Sequence, residues 1–198
     1  MTMWPNTSFV GGDPVLDFVN TAGGRTKARD TERLNQFVDA LEWAHTVGML
    51  DQIERDQLVA RADRNPLEAE QALNELREQR EALHAFLLAG VEGTECDTEA
   101  RQRVHSDIAT AYRQAEPSEH FRTHPAWIID ITTAGTRLLA RRLALAAARL
   151  LASDQRTQLS VCGRCSWLFL DSSPTRRRRW CSMATCGNRA KAQRHQQQ

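Results

Sequence analysis

Most of the chain carries apolar residues at spacings of three and four, which is the pattern of helices with one buried face. Asp13 followed by Pro14 predicts the start of a short helix, which Gly23 and Gly24 end. Longer apolar patterns then predict four more helices, over about residues 34–45, 51–65, 66–91 and 104–115. The capping pair Asp51 and Glu54 marks the start of the second of these four. We expect the helix over 66–91 to be the longest.

Two further patterns follow in the second half of the chain. A β-branched run that ends at Thr133 predicts a strand within residues 121–133, as one half of a hairpin through His124 and Pro125. From about residue 134 to residue 152, an alanine-rich stretch with helical apolar spacing predicts a tightly packed central helix. Residues 153–160 are polar and predict a linker.

These patterns predict a fold of the α+β class that is mainly α. We expect a helical N-terminal domain with a minor β element over residues 1–155 and a small C-terminal domain over residues 158–198. Below, residues 1–157 are called the body and residues 158–198 the C-terminal module. A chain of 198 residues has room for one ordinary domain and one very small one, and no third.

Composition describes a globular chain, since 41% of the residues are hydrophobic and 26% are charged. Arginines interrupt the longest apolar stretches within about ten residues, whereas crossing a bilayer takes roughly 20. The N-terminal residues lack the basic segment of a secretory signal. We therefore expect a cytoplasmic protein with no membrane partner.

The net charge of +1 conceals a strong asymmetry. The C-terminal module has eight basic residues and one acidic residue, a net charge of +7. The body has eighteen basic and twenty-four acidic residues, a net charge of −6. A basic module on an acidic body indicates an anionic partner for that module.

Four of the five cysteines lie in the C-terminal module, as Cys162-x2-Cys165 and Cys181-x4-Cys186 with fifteen residues between the pairs. This spacing is typical of a tetrahedral zinc site with four thiolate ligands. The alternatives are a redox pair and unliganded core cysteines. A closed four-cysteine site has no position for water, so we expect one structural Zn²⁺ and no chemistry at the metal. With zinc bound, the charge of the module falls to about +5.

The remaining residues of the module predict how the two cysteine pairs come together. A tight glycine-containing turn holds the first pair, and we expect two short strands, over residues 167–170 and 176–180, on either side of a second turn. Ser182 predicts the start of a helix that runs to about His195. Turn, hairpin and helix together give a treble-clef-like zinc finger, which zinc has to hold folded because so small a unit buries little surface.

The module closely resembles a known zinc finger. Residues 162–195 read CGRCSWLFLDSSPTRRRRWCSMATCGNRAKAQRH. This stretch resembles the CGNR zinc finger, whose name comes from its last cysteine and the three residues after it, here Cys186 to Arg189. It differs from the usual pattern at Pro174 and Thr175, where an Arg-Asn pair is common.

The N-terminal part resembles a second family. LDFVNT at residues 16–21, followed by Trp43 and the turn at residues 48–50, is similar to the ABATE domain, which accompanies this finger in bacterial proteins described as stress-induced transcription regulators. The two resemblances cover nearly the whole chain. They imply a zinc-containing, DNA-binding transcription regulator.

Seven basic residues of the module and one glutamine are the candidate contacts to nucleic acid. They comprise Arg176, Arg177, Arg178, Arg179, Arg189, Lys191, Gln193 and Arg194. In the alternative interpretation, the arginine run pairs with the acidic body. Asn188 and Arg189 have a second candidate role, in which they support the zinc ligands or hold the module against the N-terminal domain.

Two further groups leave alternatives open. Trp167, Phe169 and Trp180 could stack on bases or form the core of the module. Asp17, Asn20 and Thr21 could line a ligand pocket, or could cap a helix and stabilise a turn. All three residues lie within the LDFVNT segment, residues 16–21.

We find no catalytic triad, phosphate-binding loop or dinucleotide fingerprint, so we expect no enzymatic activity. The sequence favours a DNA-binding transcription regulator in which the N-terminal domain senses an effector, such as a small molecule, or forms a homodimer. The alternatives are a protein-interaction or ligand-binding module with a purely structural finger, and an RNA-binding protein.

Overall fold

A computed structural model describes residues 4–123 and 125–196. Most of this part is helical, and its α-helices are α1 (Pro14–Val19), α2 (Phe37–Thr46), α3 (Gln52–Arg64), α4 (Pro66–Glu92), α5 (Thr98–Gln114), α6 (Ile131–Ala134), α7 (Leu138–Ala152) and α8 (Asn188–Gln196). Its strands are β1 (Glu116–Pro117), β2 (Trp127–Ile128), β3 (Leu159–Val161) and β4 (Leu168–Leu170). No helix within these ranges is both long enough and apolar enough to cross a membrane. The predicted class, α+β and mainly α, is confirmed.

Helices α1 and α3 begin where the local sequence predicts, whereas α5 begins at Thr98, before the predicted residue 104, and α7 begins at Leu138, after the predicted residue 134. The carboxylate of Asp13 accepts a hydrogen bond from the backbone of Val15 at 2.8 Å, and Pro14 occupies the first position of α1. Asp51 and Glu54 form the predicted capping box at the start of α3. Helix α4 is the longest, as predicted.

The predicted strand up to Thr133 is wrong beyond Ile128. Strand β2 pairs antiparallel with β1, so that Glu116 lies opposite Ile128. The rest of the β-branched run forms α6, because the Asp130 carboxylate caps it by accepting from the backbone of Thr132 at 2.7 Å. His124, part of the predicted turn, lies outside the described residues.

Two apolar clusters fill the body. The first is built from α2, α3, α4 and α7, and in it the rings of Phe18 and Trp43 lie 5.6 Å apart. The second joins α1, α4 and α7 to Leu168 and Leu170 of β4. The C-terminal module therefore contributes directly to the core of the body, and its strand β4 is buried along its whole length.

The predicted linker over residues 153–160 is also structured. Residues Asp154–Gln158 form a 3-10 turn, and Leu159 begins strand β3. Strand β3 pairs antiparallel with β4, which places Leu159 opposite Leu170. The chain thus passes from α7 into the module through ordered backbone.

Asp17 is a buried carboxyl group in α1. It is 9% exposed, and its Oδ1 accepts a hydrogen bond from the backbone of Gly11 at 2.8 Å. Burial is the main cause that raises the pKa of Asp17 to about 6. The folded protein therefore holds this proton to a higher pH than the unfolded chain does.

We expect Asp17→Asn to stabilise the protein at pH 7 by about 1–3 kcal/mol, because the amide keeps an acceptor for Gly11 and avoids a buried charge. With Asp17 present, its contribution falls as the pH rises from about 4, where the unfolded chain loses the proton, to about 6, where the folded protein loses it. Urea titrations of both proteins between pH 4 and pH 7 measure the difference. Equal stabilities across that range would contradict the assignment.

Candidate metal centre

The four cysteines of the module come together in one buried cluster. The sulfur atoms of Cys162, Cys165, Cys181 and Cys186 all lie within 4.8 Å of one another. Cys181 Sγ lies 3.7 Å from the sulfurs of Cys165 and Cys186, too far for the disulfide bond length of about 2.05 Å. Tetrahedral Zn–S bonds of about 2.3 Å separate neighbouring sulfurs by about 3.8 Å. The cluster therefore fits one structural zinc ion.

The β3–β4 hairpin positions the first cysteine pair. The backbone N–H of Cys162 donates to the carbonyl of Trp167 at 2.9 Å, which closes the turn that holds both sulfurs. In the second pair, Cys181 precedes a helical turn of the wide π type, Met183–Gly187, and Cys186 lies within that turn, which continues into α8. The β3–β4 hairpin thus contributes two ligands, and the segment from Cys181 into the helical turn contributes the other two. The predicted treble-clef-like arrangement instead paired residues 167–170 with residues 176–180.

The predicted second strand over Arg176–Trp180 is wrong. These residues form a loop, and Arg176 has a left-handed backbone conformation, with φ of +48°. The buried Asp171 carboxylate organises this loop, because it accepts hydrogen bonds from the backbone of Ser173 at 3.0 Å and of Arg178 at 2.8 Å. Because the N–H of Arg178 is bonded to this carboxylate, it is not available to a neighbouring strand.

The cysteine cluster changes the acidity of its own thiols. Hydrogen bonds from Cys165 and then Cys181 lower the pKa of Cys162 far below its ordinary value, since they stabilise a thiolate there. The hydrogen bond with Cys162 raises the pKa of Cys165 to about 12. Thiolates are the form in which cysteines bind zinc, so zinc binding at this cluster would displace protons.

Asn20 joins the body to strand β4. Its Oδ1 accepts from the backbone N–H of Leu168 at 3.0 Å, and its Nδ2 donates to the carbonyl of Leu168 at 2.8 Å. Asn20 is 1% exposed, so both bonds are shielded from water. The side chain acts as a neighbouring strand would, and this explains the asparagine of the LDFVNT segment without a ligand pocket.

Three further contacts link the body to the ligand-bearing hairpin. The indole Nε1 of Trp167 donates to the carbonyl of Ala22 at 3.0 Å. The ring Nε2 of His84 lies 2.9 Å from the carbonyl of Ser166, to which it donates as a neutral imidazole, because burial lowers its pKa. Lys27 Nζ donates to the carbonyl of Cys162. His84 and Lys27 of the body thus hold backbone carbonyls at the first cysteine pair, and Trp167 of the module holds a carbonyl of the body.

The aromatic residues of the module divide into two groups. Trp167 and Phe169 are buried and belong, with the four cysteines, to one apolar cluster. Trp180 is half-buried and packs against that cluster from outside. Of the two interpretations, the one in which the aromatic residues form the core of the module therefore applies to Trp167 and Phe169.

Arg178 differs from its three neighbours, because its guanidinium points into the protein. It lies 4.4 Å from the centre of the Phe169 ring and donates to the carbonyls of Trp180, at 3.0 Å, and Cys181. It also reaches the carbonyls of Val10 and Leu170, at 3.5 Å each. These contacts occupy its donors, so Arg178 is placed to support the second cysteine pair and not to contact nucleic acid.

The other predicted nucleic-acid contacts are exposed. They are Arg176, Arg177, Arg179, Arg189, Lys191, Gln193 and Arg194. The amide of Asn188 donates to the carbonyl of Ala184 at 3.2 Å, within its own helical segment. Asn188 therefore does not hold the module against the body. Residues such as Asn20 and His84 form the hydrogen bonds described above that do so, and the sequence pattern does not predict this role for them.

The ion pairs among the described residues all lie within the body. Some arginines of the body pair with carboxylates, as Arg80 does with Glu32 at 2.6 Å, whereas others, such as Arg64 and Arg101, have no carboxylate oxygen within 4.0 Å among the described residues. In the described part of the module, no arginine side chain lies within 4.0 Å of a carboxylate oxygen. The structure therefore does not show the alternative in which Arg176 to Arg179 form ion pairs with the acidic body.

Comparison with protein families agrees with this arrangement. Residues 158–198 match the model of the CGNR zinc finger. Residues 12–154 match the ABATE model, whose description is "Putative stress-induced transcription regulator". No curated protein matches the chain. Because the ABATE model alone covers more than half of the sequence, the chain belongs to the ABATE family and carries a CGNR zinc finger at its C-terminal end.

Proposed function

We propose that this protein is a non-enzymatic, cytoplasmic transcription regulator that binds DNA through the basic surface of its zinc finger. The observation that carries the proposal is the set of exposed arginines without carboxylate partners, described above for the module. An unpaired guanidinium keeps all its donors available for phosphate oxygens. The family description points to the same role.

The charge of the two parts supports a defined orientation on DNA. The module has a net charge of +7, or about +5 with zinc bound, whereas the body has −6. Phosphates attract the module and repel the body, so that the finger faces the duplex and the helices face away from it. In this proposal, the body senses an effector or forms the homodimer.

The close packing of the finger on the body favours one alternative. Strand β4 fills part of the core of the body. A zinc site that only stabilises an interaction module would have this position, because it would hold β4 in that core. RNA is the other possible partner, since its phosphates attract the same cations. Both alternatives are outcomes of the following experiment.

We expect the zinc-loaded protein to bind a 20-base-pair duplex with an affinity that falls steeply between 50 and 200 mM NaCl. Replacing four exposed arginines of the module by glutamine should weaken binding about 100-fold or more and flatten the dependence on salt, because phosphate contacts are lost. The four are Arg176, Arg177, Arg179 and Arg194. Fluorescence anisotropy with labelled DNA measures both quantities.

The control is a variant with the same change of charge on the body. Four exposed arginines there, replaced by glutamine, should change affinity about threefold at most. These are Arg64, Arg101, Arg113 and Arg122. Equal losses in the two variants would show that net charge, and not the finger surface, governs binding. Absence of binding by the unmodified protein would leave the structural-finger alternative, and a preference for structured RNA over the duplex would establish the RNA alternative.

A further inference from the structure

A cleft lies beside the zinc site, between the turn of the first cysteine pair and α8. Its volume is about 320 Å³. The residues that line it are Gly163, Arg164, Arg179, Trp180, Ala190, Gln193 and Arg194. A volume near the lower end of the ~300–1,000 Å³ range of ligand sites suits one sugar-phosphate unit.

We propose that this cleft binds one backbone phosphate of the nucleic acid, a step that rests on the function proposed above. Arg164, Arg179 and Arg194 bring three guanidinium groups to its walls, and no carboxylate is among the lining residues that the structure describes. Gathering like charges raises the free energy of the empty site, and an anion in the cleft offsets that cost. The arginine fork also matches two phosphate oxygens at once.

Two of the three guanidinium groups are held in place. Arg179 stacks on the ring of Trp180, 4.7 Å from its centre. The Nη1 of Arg164 donates to the Oε1 of Gln193 at 2.8 Å, and its buried Nε has no hydrogen-bond partner among the described residues. Side chains that are already ordered lose little conformational freedom on binding, which favours affinity.

Zinc coordination would bring the walls of the cleft together. Gly163 and Arg164 lie between the first two cysteines, whereas Arg179 and Trp180 immediately precede Cys181. The two segments meet through the backbone N–H of Gly163, which donates to the carbonyl of Arg179 at 2.9 Å. A side chain on Gly163 would come within 3.1 Å of the Trp180 ring, so the glycine allows this close approach. The phosphate site therefore depends on a loaded metal site.

The loop arginines differ from those of the cleft. Arg176 and Arg177 are exposed in the loop that Asp171 organises, and they are not among the lining residues of the cleft. They add charge near the duplex but do not converge on one point. The two pairs of arginines therefore allow a comparison at equal charge.

The test compares two double variants of the full-length, zinc-loaded protein. Arg164→Gln with Arg194→Gln removes two charges from the cleft, and Arg176→Gln with Arg177→Gln removes two from the loop. We expect the cleft pair to weaken binding to the 20-base-pair duplex at least about 30-fold and the loop pair at most about threefold. Zinc content and melting temperature, measured on the same preparations, show whether each variant is folded.

Each result has a defined meaning. Equal losses for the two pairs, or a larger loss for the loop pair, would overturn the cleft site and leave the proposed function intact. Failure of the unmodified protein to bind DNA would overturn the proposed function itself. If the cleft double variant loses zinc, the single variants Arg194→Gln and Arg177→Gln are compared instead, since both side chains are exposed. Arg194→Gln should then cost about tenfold and Arg177→Gln about twofold, and equal costs would again overturn the cleft site.

Discussion

Cys181→Ser is expected to abolish zinc binding and to lower the melting temperature of the whole protein by about 10–20 °C. The reason is that Leu168 and Leu170 of β4 are part of the second apolar cluster of the body. Loosening the module exposes these side chains, at about 1.5–3 kcal/mol each, and weakens the bonds to Asn20. A loss of about 5 kcal/mol corresponds to this shift for a chain of this size.

The helical signal at 20 °C should nevertheless persist, because the first apolar cluster consists of residues of the body. Elemental analysis and circular dichroism measure the two effects. The matched control is Cys96→Ser, since Cys96 lies far along the chain from the module and outside the sulfur cluster. It should retain one zinc and the melting temperature of the unmodified protein. A zinc-free Cys181→Ser protein with an unchanged melting temperature would contradict the contribution of β4 to the body.

Local signals explain why the helices can be predicted from the sequence. Asp13 with Pro14, and Asp51 with Glu54, fix helix starts through bonds that span two or three residues. The same rule explains the error at Ile131, where Asp130 forms a cap that outweighs the β-branched side chains of α6. A cap acts on backbone groups that are adjacent in sequence. A strand needs a partner strand, and the β-branched run at residues 128–133 does not predict where that partner lies.

The sequence also predicts the zinc ligands, because cysteine spacing determines which sulfurs can meet. It does not predict which arginines face outward. Arg178 and Arg179 are neighbours, yet one donates to carbonyls beside Phe169 and the other lies over Trp180 at the surface. Those directions follow from Asp171, which bends the loop and removes the alternation of a strand.

The attachment of the module to the body is the feature that local sequence patterns predict least. Asn20 and Leu168 are 148 residues apart, and His84 and Ser166 are 82 apart. Gly23 and Gly24 illustrate the same point, since they predict only the end of a helix. In the structure they lie against the module: a side chain on Gly23 would come within 2.1 Å of the Ser166 hydroxyl. Their role is close approach between distant segments.

Gly24→Ala is therefore expected to destabilise the protein by about 3–5 kcal/mol, the second large effect. Gly24 has φ of +97°, and a Cβ there would lie 2.6 Å from ring atoms of Trp167. The ring would have to move, which would break its hydrogen bond to Ala22 and open the joint between body and module. Urea unfolding measures the loss, and the rate of zinc release to a chelator should rise with it.

Gly48→Ala is the matched control, because Gly48 also has a positive φ, +75°, but no neighbouring atom lies within 4 Å of its Cβ position. Only backbone strain of about 1–2 kcal/mol is expected there, with no change in zinc release. The difference between the two variants isolates the clash with Trp167. In a Trp167→Ala background, Gly24→Ala should cost no more than Gly48→Ala, since the ring that it displaces is gone. A full additional cost in that background would place the origin of the effect elsewhere than at the joint.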